Sequence, residues 1–126
     1  MNAKLKILIA DDAKVIRITL KKHLEALGHT IVGEAKNGQE AIELYDKYQP
    51  DLVTMDVTMP EVNDIKNGIE AMVKIRDKYP EAHVVVITSH GEKKLVIEAI
   101  SKGAKGYILK PITKEKLYDI IANINN

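Results

Sequence analysis

Short apolar runs alternate with helix-period segments five times along these 126 residues, roughly every 25 residues, and that rhythm constrains the fold more than any other feature. Residues 5–10 are nearly all aliphatic, as expected of a strand covered on both faces. Residues 15–27 then carry Ile16, Leu20, Leu24 and Leu27 at helical spacing, with Gly28 as a stop. A weaker strand over 30–35 precedes a helix opened by Asn37 with Glu40 three residues on, close to a capping-box pattern. Ala41, Leu44, Tyr45 and Tyr48 form the buried face of that helix, and Pro50 ends it. Residues 51–55 read as a third strand, and 68–78 as a helix with Ala71, Met72, Ile75 and Tyr79 on one side. Residues 83–88 are β-branched almost throughout and form the strongest strand. A helix over 93–101 turns Leu95, Val96, Ala99 and Ile100 inward and stops at Gly103. A fifth strand over 106–109 leads to a final helix over 113–124, with Leu117, Ile120, Ile121 and Ile124 on its apolar stripe. Parallel strands need crossover connections, so this alternation predicts an α/β fold: a parallel sheet with helices on both faces. Five short units fit the flavodoxin-like doubly wound order 2-1-3-4-5. One domain over 1–126 is expected, with no linker or second module.

Composition excludes several classes of chemistry. There are no cysteines, so disulfides, zinc–thiolate sites and thiol nucleophiles are out. Phenylalanine and tryptophan are absent too, which leaves an aliphatic core and argues against broad base-stacking surfaces. No apolar run approaches the ~18 residues of a membrane span, and no signal-peptide core opens the chain, so a cytoplasmic location without membrane contact is expected. Nineteen basic residues nearly balance 18 acidic ones, but unevenly. Residues 34–64 hold eight carboxylates against two lysines, while 91–126 hold seven lysines against four acids. Neither region forms a phosphate-backbone stripe, and no nucleic-acid partner is expected.

In a doubly wound sheet the ligand site lies beyond the carboxyl ends of the strands. Strand 1 ends there in Asp11 and Asp12, strand 3 in Asp56, strand 4 in Thr88, and strand 5 in Lys110-Pro111. Three converging carboxylates repel one another, and a hard divalent cation relieves the repulsion. With oxygen ligands alone, Mg²⁺ is the favoured ion. Metal, carboxylate, hydroxyl and ammonium together suit in-line phosphoryl transfer, and a carboxylate can itself accept the phosphoryl group.

The segments Ile-Leu-Ile-Ala-Asp11-Asp12, Thr54-Met55-Asp56-Val57-Thr58-Met59-Pro60, Val86-Ile87-Thr88-Ser89 and Ile108-Leu109-Lys110-Pro111 occur in order on the predicted strands. On them the chain resembles the receiver domain of bacterial two-component response regulators, from Leu5 to Ile124, and within that family most resembles the stand-alone chemotaxis receivers. The resemblance implies that Asp56 is the phosphoacceptor. It implies that Mg²⁺ is bound by Asp12 directly, by Asp11 largely through water, by Asp56 and by the backbone carbonyl of Thr58. Asp12 could at the same time cap the first helix. Lys110 would pair with the phosphoryl oxygens, and the Lys110–Pro111 bond would be cis. Thr88 would hydrogen-bond the phosphoryl group, and Tyr107 would follow it as the second half of a switch. Thr58 and His90 lie where receivers vary to tune dephosphorylation, although an exposed loop histidine is the plainer reading of His90.

Two departures stand out. Receivers usually run Met-Pro-x-x-Asn/Asp-Gly into the third helix; here Met59-Pro60 reaches Asn67-Gly68 only after four additional residues, expected to form a longer surface loop. Ile112 follows Lys110-Pro111 where phenylalanine is common, with only a packing change expected. The resemblance implies a monomer that catalyses only its own Mg²⁺-dependent phosphorylation and dephosphorylation. Its donor would be a histidine kinase or a phosphotransfer protein. Its output would be binding through the helix 4–strand 5–helix 5 face, with the flagellar motor switch the favoured target. A relay receiver that passes phosphate to a phosphotransfer protein, or the truncated receiver of a DNA-binding regulator, are the alternatives. A flavodoxin-like cofactor binder would need a Ser/Thr/Gly-rich phosphate loop after strand 1, where Asp11-Asp12 has the wrong charge.

Overall fold

A computed structural model of the chain describes residues 4–124. Strands β1 (Lys6–Ala10), β2 (Thr30–Ala35), β3 (Leu52–Asp56), β4 (Val84–Thr88) and β5 (Gly106–Leu109) alternate with five helices. These are α1 (Lys14–Ala26), α2 (Gly38–Tyr48), α3 (Gly68–Lys78), α4 (Lys93–Ser101) and α5 (Lys114–Ile124). All strand pairs are parallel and the order is β2-β1-β3-β4-β5, the doubly wound α/β arrangement that the alternation predicts.

The pleat sends successive side chains to opposite faces, so the sheet carries two apolar layers. Leu8, Val53, Met55, Val84 and Val86 pack with Ala41 and Tyr45 of α2, Ala71, Met72 and Ile75 of α3, and Ala99 of α4. On the other face Ile7, Ile9, Val85, Ile87 and Ile108 pack with Leu20 and Leu24 of α1 and Leu117 and Ile121 of α5. Burial on both sides is why the central strands read as unbroken aliphatic runs. Each buried aliphatic side chain contributes about 1.5–3 kcal/mol, enough to hold the sheet without phenylalanine or tryptophan.

Two helices start by the same device. In α2 the Asn37 side chain accepts the Glu40 amide at 2.9 Å, while Glu40 Oε1 accepts the Lys36 amide at 2.8 Å. In α3, Asn67 accepts the Glu70 amide at 3.0 Å, and Glu70 Oε1 accepts the Lys66 amide at 3.0 Å. The glutamate reaches one residue further back than in a capping box. Asp12, by contrast, does not cap α1: the cap position is Ala13, which has no side-chain oxygen to offer.

Two residues assigned to buried faces are exposed, Tyr48 by 41% and Ile100 by 44%. Both lie in the last turn of their helices, beyond Tyr45 of α2 and Ala99 of α4, the last buried residue of each. The four added residues are also not a simple surface loop. Val62 and Ile65 exchange backbone hydrogen bonds at 3.2 and 3.0 Å across a two-residue turn. Asn63 and Asp64 adopt left-handed φ values of 51° and 66°, which Asn and Asp tolerate best among non-glycine residues. Ile65 is buried against Gly38, where a β-carbon would lie 2.6 Å from Ile65 Cγ2. Among the described residues no helix is long and apolar enough to cross a membrane.

Candidate functional site

The carboxyl ends of β1, β3, β4 and β5 bring the predicted polar residues to one end of the sheet. Asp11 leaves β1 with its amide still bonded to the Ala35 carbonyl at 2.9 Å, which fixes its backbone to the sheet. Its side chain is fully buried; Oδ1 accepts the Ala13 amide at 2.8 Å, and Oδ2 has no hydrogen-bond donor. Asp12 is exposed beside it. Asp56 is the last residue of β3, opposite Ile87 of β4, and its Oδ1 accepts the Thr58 amide at 3.2 Å. Asp11, Asp12 and Asp56 each offer an oxygen, all within 4.8 Å of one another. Lys110 reaches in from beyond β5, with Nζ 3.5 Å from Asp56 Oδ2 and 3.8 Å from Asp11 Oδ2. The Lys110–Pro111 bond is cis, as expected.

One ammonium does not balance three carboxylates. Burial, and then the charge of Asp11, push the Asp56 carboxyl up to about 7, against the opposing pull of Lys110 and the Thr58 amide. A donor set of oxygens alone, a buried Asp11 Oδ2 with no donor, and a carboxyl driven towards protonation all fit a hard divalent cation such as Mg²⁺.

The hydroxyls at the site are held by a residue that the sequence reading did not single out. Thr88, buried at the end of β4, donates to Glu92 Oε1 at 2.9 Å and makes a longer contact of 3.4 Å with the Ser89 carbonyl. Thr58 Oγ1 donates to Glu92 Oε2 at 2.7 Å, and the Ser89 amide donates to Glu92 Oε1 at 2.6 Å. Burial alone would raise the Glu92 carboxyl; the Ser89 amide, the Thr58 and Thr88 hydroxyls and nearby Lys110 together hold it below its ordinary value. His90 is exposed on the same loop, and Tyr107 on edge strand β5 is 53% exposed.

Arg17 was also missed. It is buried in α1 and donates through Nη1 to the Asp11 carbonyl at 2.7 Å and through Nε to Glu34 Oε1 at 3.2 Å. Its position was a signal: Arg17, Leu20 and Leu24 follow the i, i+3, i+7 stripe, so a charge lies among core residues.

The family model of the response regulator receiver domain matches residues 7–122. The chain belongs to that family. The chemotaxis protein CheY of Thermotoga maritima is 40% identical over 120 residues, which cover 95% of this chain and 97% of that protein. Transcriptional regulatory protein YdfI of Bacillus subtilis is 41% identical over 114 residues, 90% of this chain but only 51% of that protein. Among solved structures, a chain from the CheX–CheY–BeF₃–Mg²⁺ complex of Borrelia burgdorferi superposes with a TM-score of 0.88 at 29% identity, covering 96% of this chain and 89% of that one. The receiver therefore carries its acid cluster at the sheet end where a Mg²⁺-dependent phosphorylation site belongs.

Proposed function

We propose that the chain is a phosphorylation-controlled switch of the chemotaxis type, with Asp56 as the phosphoacceptor. One observation carries the assignment: of the three clustered carboxylates, Asp56 alone combines the end of a central strand with an ammonium at 3.5 Å. Asp11, Asp12, Asp56 and the Thr58 carbonyl would hold Mg²⁺, which when bound neutralises charge on the transferred phosphoryl group. An Asp56 carboxylate oxygen attacks the phosphorus of a phosphohistidine on a kinase or phosphotransfer protein; the P–O bond forms as the P–N bond breaks, and the imidazole leaves with a proton. The Lys110 ammonium pairs with the phosphoryl oxygens, and Thr88 donates its hydroxyl proton to one of them. Hydrolysis by water regenerates Asp56, at a rate that Thr58 and His90 tune through their positions on the flanking loops.

The switch runs through Thr88 and Tyr107. Movement of the Thr88 hydroxyl towards the phosphoryl group leaves space beneath β5 that the Tyr107 ring fills, shifting a two-state equilibrium. Output is binding through the face formed by α4, β5 and α5, where Ile97, Ile100 and Tyr107 are exposed among Lys93, Lys94 and Lys105. Similarity to chemotaxis receivers supports a chemotaxis target such as the flagellar motor switch: CheY of Thermotoga maritima is 40% identical over 95% of this chain. Incubation with acetyl phosphate and Mg²⁺ tests the chemistry. The wild type gains one acid-labile phosphoryl group by intact mass, and Asp56→Asn gains none; equal labelling of both overturns the assignment.

A further inference from the structure

We propose that Glu92 is a resting-state latch: its carboxylate holds the Thr58 and Thr88 hydroxyls, and its release governs how readily Asp56 is loaded. The proposal rests on Asp56 being the acceptor. Glu92 precedes the first turn of α4 and makes no helix cap with its side chain. Instead both of its oxygens point back to the site and take three donors, from the loop after β3 and from the end of β4 and the loop after it: Thr58 Oγ1 at 2.7 Å, Thr88 Oγ1 at 2.9 Å and the Ser89 amide at 2.6 Å. These two loops follow β3 and β4, the strands that end in Asp56 and Thr88. One carboxylate therefore ties together the two segments that flank the acceptor.

The competition follows from proton count. A threonine hydroxyl has a single hydrogen, so while Thr88 donates to Glu92 it cannot donate to an oxygen on Asp56. Turning the Asp56 carboxylate into an acyl phosphate makes the site more negative by about one charge and carries that charge outwards on the phosphoryl oxygens, and like charge disfavours an anionic Glu92 in the same place. Loading and latch closure thus draw on the same hydroxyl with the same sign of charge, and each weakens the other by an equal factor. The closed latch coincides with an exposed Tyr107, the arrangement expected before phosphorylation. On release, Glu92 frees the chain leading into α4, which links the acceptor to the exposed α4 residues Ile97 and Ile100. Glu92 acts here as a positioning residue, through Thr88 rather than on the phosphoryl group.

Glu92→Ala removes the latch, and Glu92→Gln removes its charge while keeping its length. The probe is beryllofluoride with Mg²⁺, titrated while the Ser89 amide proton is followed by NMR. Charge-assisted hydrogen bonds to a carboxylate shift amide protons downfield, so in metal-free protein the Ser89 resonance moves upfield in both variants. Wild-type Ser89 moves the same way as beryllofluoride binds. Apparent beryllofluoride affinity tightens about tenfold in Glu92→Ala, the size of one charge-assisted hydrogen bond, and by less in Glu92→Gln. Thermal melts verify that both variants fold, and Glu92→Gln carries the test if the alanine variant does not. Wild-type protein that loads with Ser89 unmoved, or variants that load with wild-type affinity, overturn the latch alone. Wild-type protein that never loads overturns the acceptor assignment and the latch with it.

Discussion

Arg17 lies between the acid cluster and Glu34, and its two bonds differ in exposure. The Arg17 side chain is 10% exposed, whereas that of Glu34 is 40% exposed. Removing the buried charge leaves the Asp11 carbonyl without its donor, whereas removing the outer one takes away only a half-exposed partner of Arg17 that water and the glutamine amide oxygen can replace. Arg17→Met is therefore expected to cost about 2–4 kcal/mol and Glu34→Gln less than about 1 kcal/mol, read from urea unfolding of each variant. Because Arg17 anchors the backbone of Asp11, the methionine variant also weakens Mg²⁺ binding by titration, whereas Glu34→Gln leaves it near wild type. Equal losses in the two variants overturn this reading. At this scale the sequence was most informative where a residue stands at a strand end, as with Asp11, Asp56, Thr88 and Lys110. It was least informative where a long side chain reaches back. Arg17 and Glu92 find their partners on other elements only once the chain is folded, and periodicity counts apolar letters without asking why a charge stands among them.

At the level of elements, α3 starts where it does because Gly68 has no side chain. The Gly68 amide donates to the Val57 carbonyl at 2.9 Å, and a β-carbon there would overlap the Asp56 carbonyl oxygen and lie 2.9 Å from Met55 Cγ. Gly68→Ala must therefore shift either α3 or the backbone of Asp56 itself. The expected loss is about 1–3 kcal/mol of stability by chemical denaturation, with slower phosphorylation by acetyl phosphate measured at equal folded fraction. Unchanged stability and rate would falsify the claim that this contact sets the position of Asp56. The bounds of α3, α4 and β5 were legible in the sequence, because Asn67 caps α3 and Gly103, at φ 113°, ends the run after α4. The hairpin at Val62 and Ile65 was not legible. Two bridge residues are too few for a period, and the burial of Ile65 depends on a glycine in another helix, Gly38. Tyr48 and Ile100 keep helical spacing, but spacing cannot say how far along a helix its packed face extends.

For the whole molecule, the opposing titrations of Asp56 and His29 make stability depend on pH and metal together. The folded-state pKa of Asp56 is raised from 3.8 to about 7, so its protonated form is the one the fold prefers. That contribution is fully present below pH 3.8 and is lost as pH rises through 7, because the folded protein then holds a buried carboxylate beside Asp11. His29 acts in the other direction. It is buried with Nδ1 accepting the Leu5 amide at 3.0 Å, and burial lowers its pKa below 6.5, so its contribution is lost as pH falls below that value. Metal-free protein is thus squeezed from both sides, by His29 in acid and by Asp56 above neutrality. A divalent cation at the acid cluster relieves only the second. The rise in melting temperature on adding Mg²⁺ should be small near pH 5.5 and grow through pH 7 to about 5 °C or more at pH 8, as Asp56 ionises. Asp56→Asn removes the titrating group, so its metal-free melting temperature at pH 8 exceeds that of wild type and its response to Mg²⁺ no longer grows with pH. Differential scanning calorimetry across this range, with and without Mg²⁺, decides the matter: a pH-independent Mg²⁺ shift in the wild type would mean that the cation does not act through Asp56. The charge imbalance that makes the metal-free cluster unfavourable above neutrality is the same imbalance that a divalent cation relieves, so the cost to the fold and the affinity for the cation rise together as Asp56 ionises.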